Sequence, residues 1–150
     1  MTATIDGPVV FAYDGSELAK SAIDEAGRQL GPSRDALVVC VWQPFDVGFV
    51  PASGLDFDAA QIADVRAAAE QTAAQGALLA EAAGFRAQAL AIEAAPTWKA
   101  IAEVADQHDA SLIVLGSHGR HGPAGMLVGS VAGAVAAHSH RSVLIAHRRS

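Results

Sequence analysis

The residues best suited to chemistry lie in one stretch, Gly116 to Ser130, which reads GSHGRHGPAGMLVGS. It holds five glycines in fifteen residues, with His118, Arg120 and His121 among them and a Gly129-Ser130 pair at its end. Glycines lack a Cβ, so backbone N–H groups can close on an anion, and turns can aim successive N–H groups at one point. A Gly-Ser pair opening a helix adds first-turn N–H groups, the positive helix end and a hydroxyl donor. Arg120 adds a movable cation. A di- or triphosphate held mostly by backbone is the chemistry this composition suits.

Two familiar phosphate patterns are absent from the stretch. The P-loop needs a lysine before its Ser/Thr, whereas Val128-Gly129 precedes Ser130. The dinucleotide pattern G-x-G-x-x-G does not occur in it. The spacing present is Gly116-x2-Gly119-x9-Gly129-Ser130. Glycine content alone equally describes a plain turn, and Ser130 alone equally describes a helix cap. His118 with His121 and His138 with His140 invite a metal, but neither pair has acidic or cysteine partners at zinc spacing. Their roles are left as structural or solvent-facing.

These residues need elements to position them. Val9 to Tyr13 (VVFAY) reads as a first strand closed by Asp14-Gly15, and Ser16 opens a helix with a stripe at Ala19, Ile23, Ala26 and Leu30. Ala36 to Trp42 is a second strand, apolar along its length as a strand covered on both faces should be. Residues 43–57 carry no clear period, and loops this long tend to be functional or mobile. A long helix from Asp58 to about Ala83 follows, with its stripe at Ile62, Val65, Ala69, Thr72, Gly76 and Leu79. Phe85 to Ile92 reads as a half-exposed edge strand. A helix from Pro96-Thr97 has its stripe at Trp98, Ile101, Ala105 and His108. Ser111 to Leu115 is the fourth strand, and a helix from about Ser130 to His138 and a strand from Ser142 to Ala146 complete the chain.

Alternating strands and helices predict one α/β domain, an open parallel sheet with helices on both faces. In such sheets ligands sit beyond the carboxyl ends of the strands where the strand order reverses. The loops there carry Asp14-Gly15-Ser16, Gln43 onward, and the glycine stretch.

Composition narrows the field further. Of 150 residues, 51% are hydrophobic and 17% charged, which is ordinary for a globular chain. The net charge of −6 argues against general binding to nucleic acid or an anionic membrane. The lone Cys40, inside ALVVCVW, is read as a small core residue. No basic, apolar leader opens the chain and no apolar run reaches the roughly 20 residues of a membrane span. A cytoplasmic location is the expectation.

The glycine spacing, with VVFAYDGSELAKSAIDEA at one end and SLIVLGSHGRHGPAGMLVGSVAGAV at the other, resembles the universal stress protein family. ATP-binding members of that family carry G-x2-G-x9-G-(S/T), and the resemblance covers essentially the whole chain. It implies a Rossmann-like, adenine nucleotide alpha hydrolase-like fold, a five-stranded sheet in the order 3-2-1-4-5. It also implies site residues. Asp14 matches the acidic residue at the ribose or metal-phosphate region, Ala12 and Tyr13 lie near the base, and the backbone of Val41 recognises adenine. Gly116, Gly119, Gly129 and Ser130 match the phosphate-binding positions, with Ser117, His118 and Arg120 between them. Two departures stand out. Ala94 and Ala95 replace the glycine common after strand three, narrowing that side of the pocket, and Ser142 replaces the proline common before the last strand.

The function expected on this basis is an ATP-binding stress-response or signalling module, with Mg2+ (or Mn2+) across the phosphates. An alternative is a slow ATPase at the same site, for which Asp14, His118 and His121 are the candidates, though they form no dedicated catalytic set. A third reading is a protein-interaction module that binds no nucleotide. A homodimer through the C-terminal edge strand and a further protein partner are expected, with no nucleic acid and no membrane.

Overall fold

The computed structural model describes residues 7–44, 59–118 and 128–147. Its element order is β1 (Val9–Ala12), α1 (Glu17–Leu30), β2 (Asp35–Trp42), α2 (Ala59–Ala82), β3 (Arg86–Glu93), α3 (Thr97–Gln107), β4 (Leu112–Gly116), α4 (Ser130–His138) and β5 (Val143–Ala146). The strands form one parallel sheet in the order β3-β2-β1-β4-β5. The expected strand order and the edge position of β3 are both observed.

Period-two alternation sorts the central strands between two apolar layers. Val9, Phe11, Tyr13 and Val38 pack with Ala19, Ile23 and Ala26 of α1 and with Ala77 and Ala80 of α2. Val10, Leu37 and Val39 face the other way, against Ile101, Val104 and Ala105 of α3 and Ala132 and Val135 of α4. Cys40 and Trp42 extend the first face onto Val65, Ala69 and Ala73 of α2. Both faces of β1 and β2 are therefore covered, which is why these strands read as unbroken apolar runs.

Two helical stripes differ from expectation. On α2 the buried line is Val65, Ala69, Ala73, Gly76, Ala77 and Ala80, and Leu79 is 39% exposed. The cause is a close approach to the sheet. A Cβ on Gly76 would lie 2.7 Å from Tyr13 Cδ2 and 2.7 Å from Val38 Cγ1, so the helix admits only small residues around this crossing and turns its leucines outward. On α3, His108 is not on the buried stripe. It caps the helix C-terminus, where its backbone N–H and its Nδ1–H both donate to the Val104 carbonyl, at 3.0 and 2.9 Å. Ala100 and Val104 join Ile101 and Ala105 in the core instead.

Polar contacts close the remaining seams. Ser16 caps α1, its Oγ accepting from Ala19 N at 3.1 Å. Arg141, just before β5, donates to Asp106 (3.0 Å), Asp109 (2.8 Å) and the Ala110 carbonyl (3.1 Å), tying the last strand to the end of α3. Trp98 of α3 stacks on His138, the last residue of α4, with centroids 4.7 Å apart. Among the described residues no helix is long and apolar enough to cross a membrane.

Candidate functional site

A cleft opens where the central strand stops short of its neighbours. β1 pairs with β2 only through Ala12–Val39 and with β4 only through Phe11–Val114. Tyr13 N adds one more bond, to Val39 O at 2.9 Å, and the chain then leaves the sheet for α1. β2 runs on to Trp42 against β3, and β4 runs on to Gly116 against β5. The gap left above β1 is a cleft of about 250 Å³. It lies at the reversal point of the strand order, as an open parallel sheet requires.

The lining divides by chemistry. Ala12, Val39, Val41, Ile101, Leu115 and Ala132 give an apolar floor, while Asp14, Ser16, Gln43, Thr97, Ser117, His118 and Ser130 give polar groups. Ser16, Thr97 and Gly129-Ser130 stand at the N-termini of α1, α3 and α4, so three positive helix ends border one space. They are not equivalent. Ser16 caps α1, whereas α4 has Gly129 as N-cap and no side-chain cap hydrogen bond. Ser130 is the first residue of the helix and not its cap, so among the described residues no side-chain cap satisfies the first N–H groups of α4.

The turn after β4 is tightly made. Ser117, 2% exposed, donates its N–H to the Ala146 carbonyl at 2.8 Å and accepts from Gly129 N at 2.5 Å. Its Oγ lies 3.2 Å from His118 Nδ1. His118 Nε2 is buried and has no hydrogen-bond partner among the described residues. A Cβ on Gly129 would stand 3.1 Å from the Ser117 carbonyl oxygen and 3.5 Å from His118 Cδ2, so a side chain there would crowd the turn. Gly116 is crowded from the other side: its Cβ would meet Leu18 Cβ at 3.0 Å. At the mouth, Gly15 turns the chain with φ +82, and Asp14 Oδ1 accepts from Ser16 N at 2.9 Å. Burial raises the Tyr13 phenol above its ordinary pKa of 10.0, and the charges of Asp14 and Glu17 raise it further.

A family model described as the universal stress protein family matches residues 7–147. The chain belongs to that family. A universal stress protein of Mycobacterium tuberculosis is 36% identical over 147 residues, covering 95% of this chain and 46% of its own length. The chain thus spans about half the length of the curated relatives it matches. A solved structure of a universal stress protein in complex with cAMP is 27% identical, covers 96% of this chain and 98% of that one, and superposes with a TM-score of 0.60. The universal stress protein from Archaeoglobus fulgidus in complex with dAMP has the same fold, at 23% identity, 95% and 98% coverage and a TM-score of 0.61.

Within this universal stress protein fold, nine of the residues singled out in the sequence come together around one cleft: Ala12, Tyr13, Asp14, Val41, Gly116, Ser117, His118, Gly129 and Ser130. Gly119 and Arg120, together with His121, lie outside the described residues. Ala94 and Ala95 do not narrow the cleft by lining it. Ala94 acts through its carbonyl, which accepts from Gln43 Nε2 at 2.7 Å. His138 and His140 stand at the opposite end of α4 from Ser130, on its last position and in the turn after it, and do not line the cleft. Gln43 and Thr97 line it without having been picked out as site residues. A signal for Gln43 exists in the alternation Val39, Val41, Gln43, which continues one face of β2 past its end.

Proposed function

We propose that this universal stress protein binds an adenine nucleotide, ATP in the first instance, in the cleft above β1. The observation that carries the reading is the buried Nε2 of His118, without a partner among the described residues, beside the N-terminus of α4, which has no side-chain cap hydrogen bond. Buried polar atoms almost always have a partner, and an orphan costs roughly 1–3 kcal/mol. Ser117 Oγ lies 3.2 Å from His118 Nδ1, and in the tautomer whose Nδ1 accepts from that hydroxyl, Nε2 carries the proton and can donate to an anion. The first-turn N–H groups of α4 and the Ser130 hydroxyl supply the rest of a phosphate cradle, and the apolar floor at Ala12 and Val41 suits the base. The neighbours solved with cAMP and dAMP support the adenine nucleotide class.

A divalent cation, Mg2+ or Mn2+, fits as a partner of the phosphates and not as a resident metal. Among the described residues no group of three His, Cys, Asp or Glu side chains is disposed to hold one. Asp14 is the carboxylate lining the cleft, and Mg2+ is commonly held by one carboxylate plus substrate phosphates and water. The cation would neutralise phosphate charge beside Asp14. Residues 1–150 act in this reading as one universal stress protein domain of the cytoplasm, whose bound nucleotide sets a surface read by a protein partner. β5, at the end of the sheet order with Val143 and Ile145 packed on one face and Leu144 on the other, is the edge through which two copies would pair.

Calorimetric titration with Mg-ATP tests the central claim. Saturable binding is expected, weakened about tenfold or more by Gly129→Val combined with Ser130→Ala. Absence of binding, or an unchanged affinity in that variant, overturns it.

A further inference from the structure

We propose that Gln43 selects the base, its side-chain carbonyl accepting a hydrogen bond from the exocyclic amino group of adenine. The inference rests on the nucleotide reading above and assigns a specificity-determining residue to that site. Gln43 follows β2 directly and lies on the face of Val39 and Val41, which pack against Ile101 beneath the cleft. Its Nε2 donates to the Ala94 carbonyl at 2.7 Å and to Thr97 Oγ1 at 3.3 Å.

Those two contacts determine which way the amide faces. A backbone carbonyl only accepts, so the atom at 2.7 Å from Ala94 O must be the nitrogen, and both of its hydrogens are then committed. The side-chain atom left to a ligand is Oε1, an acceptor, to which no described residue donates. An anchored acceptor at the rim of an apolar floor matches an amino group. It opposes the carbonyl that guanine or hypoxanthine carries at the same ring position, because two acceptors would then face each other. Turning the amide over to suit such a base would abandon the Ala94 bond and leave a carbonyl oxygen facing a carbonyl oxygen. Discrimination of this kind, by a polar group left unpaired with the wrong ligand, exceeds what an apolar pocket achieves.

The test compares two ligands on the same protein, ATP and purine riboside triphosphate, which lacks only the amino group. One neutral hydrogen bond of ordinary strength corresponds to about a 3- to 10-fold preference. Wild-type protein is expected to bind ATP tighter by at least that factor and to reject GTP. Gln43→Leu should shrink the ratio of the two dissociation constants by about 3-fold or more, and Thr97→Val, which removes one of the two anchors, by less. The ratio is internal to each variant, so a general loss of stability cancels. Gln43→Met, which keeps the chain length, replaces Gln43→Leu if that variant fails to fold. Tight ATP binding with an unchanged ratio in the Gln43 variants overturns the assignment of Gln43 alone. Failure of the wild type to bind either triphosphate overturns the nucleotide reading and this inference with it.

Discussion

The backbone N–H of Gly129 donates to the carbonyl of Ser117 at 2.5 Å, so the two ends of the glycine-rich stretch meet directly. That single bond brings the end of β4 to the start of α4 and sets His118 against the helix N-terminus. It also limits what residue 129 can be. With φ −74 the position has no need of glycine for its backbone angle; the need comes from the Ser117 carbonyl 3.1 Å from where a Cβ would stand. Gly129→Ala should therefore fold, with ATP affinity reduced modestly. Gly129→Val should lose tenfold or more, equivalent to ~1.4 kcal/mol or above. Calorimetry on the two variants and thermal melts on the same samples separate ligand loss from unfolding.

Tyr13 gives a pH dependence with a definite sign. Its folded-state pKa is raised, chiefly by burial and then by Asp14 and Glu17, so folding favours the neutral phenol. The associated stability is fully present below the unfolded value of about 10 and is lost as pH rises through the folded value. Melting temperature should fall above about pH 10, and Tyr13→Phe should flatten that fall. Tyr13 is the only tyrosine in the chain, so ultraviolet titration of the phenolate reads this residue alone. The midpoint should lie above 10 in the folded protein and return to about 10 in denaturant.

The inner face of α2 predicts an asymmetry that runs against hydrophobicity. Gly76→Ala adds one methyl group but drives it to 2.7 Å from the Tyr13 ring and Val38, and should cost ~1–3 kcal/mol. Leu79→Lys exchanges a large apolar residue for a charge on the exposed side and should stay within ~0.5 kcal/mol of wild type. Denaturant midpoints of the two variants make the comparison.

Ser16 serves both the helix and the cleft, and two substitutions separate these roles. Ser16→Ala removes the hydroxyl that accepts from Ala19 N and should cost ~1 kcal/mol in stability. Ser16→Asp retains a capping oxygen and should recover most of that loss. It also sets a carboxylate among the groups lining the cleft and should weaken ATP more than Ser16→Ala does. Melting temperature and ATP affinity should therefore rank the two variants in opposite orders.

These variants also mark where sequence reading succeeds. The buried strands and the cleft position were legible because VVFAY and ALVVCVW are unbroken apolar runs and parallel sheets place their ligand sites in one region, whereas the strand order came from the family resemblance. The stripe of α2 was not, since a periodic reading favours the largest apolar residue. At Leu79 the packing distance favoured Ala80, Ala77 and Gly76 instead. His108 fell off its stripe because the helix ended one residue earlier and its ring turned back to the Val104 carbonyl. Gln43 was placed only as the start of a loop, because its anchors Ala94 and Thr97 lie more than fifty positions away along the chain and no local pattern records such a pairing.

Gly116 has a consequence of its own. The atoms that would crowd a side chain there belong to Leu18, in the first turn of α1. The first glycine of the signature thus reports how a helix is seated on a strand, while Gly129 stands against the Ser117 carbonyl and His118 at the cleft. On the nucleotide reading, a chain that keeps glycine at 116 but carries valine at 129 should fold and bind ATP at least about tenfold more weakly. Such a protein is the weak-binding twin needed to separate what the folded domain does by itself from what it does when loaded.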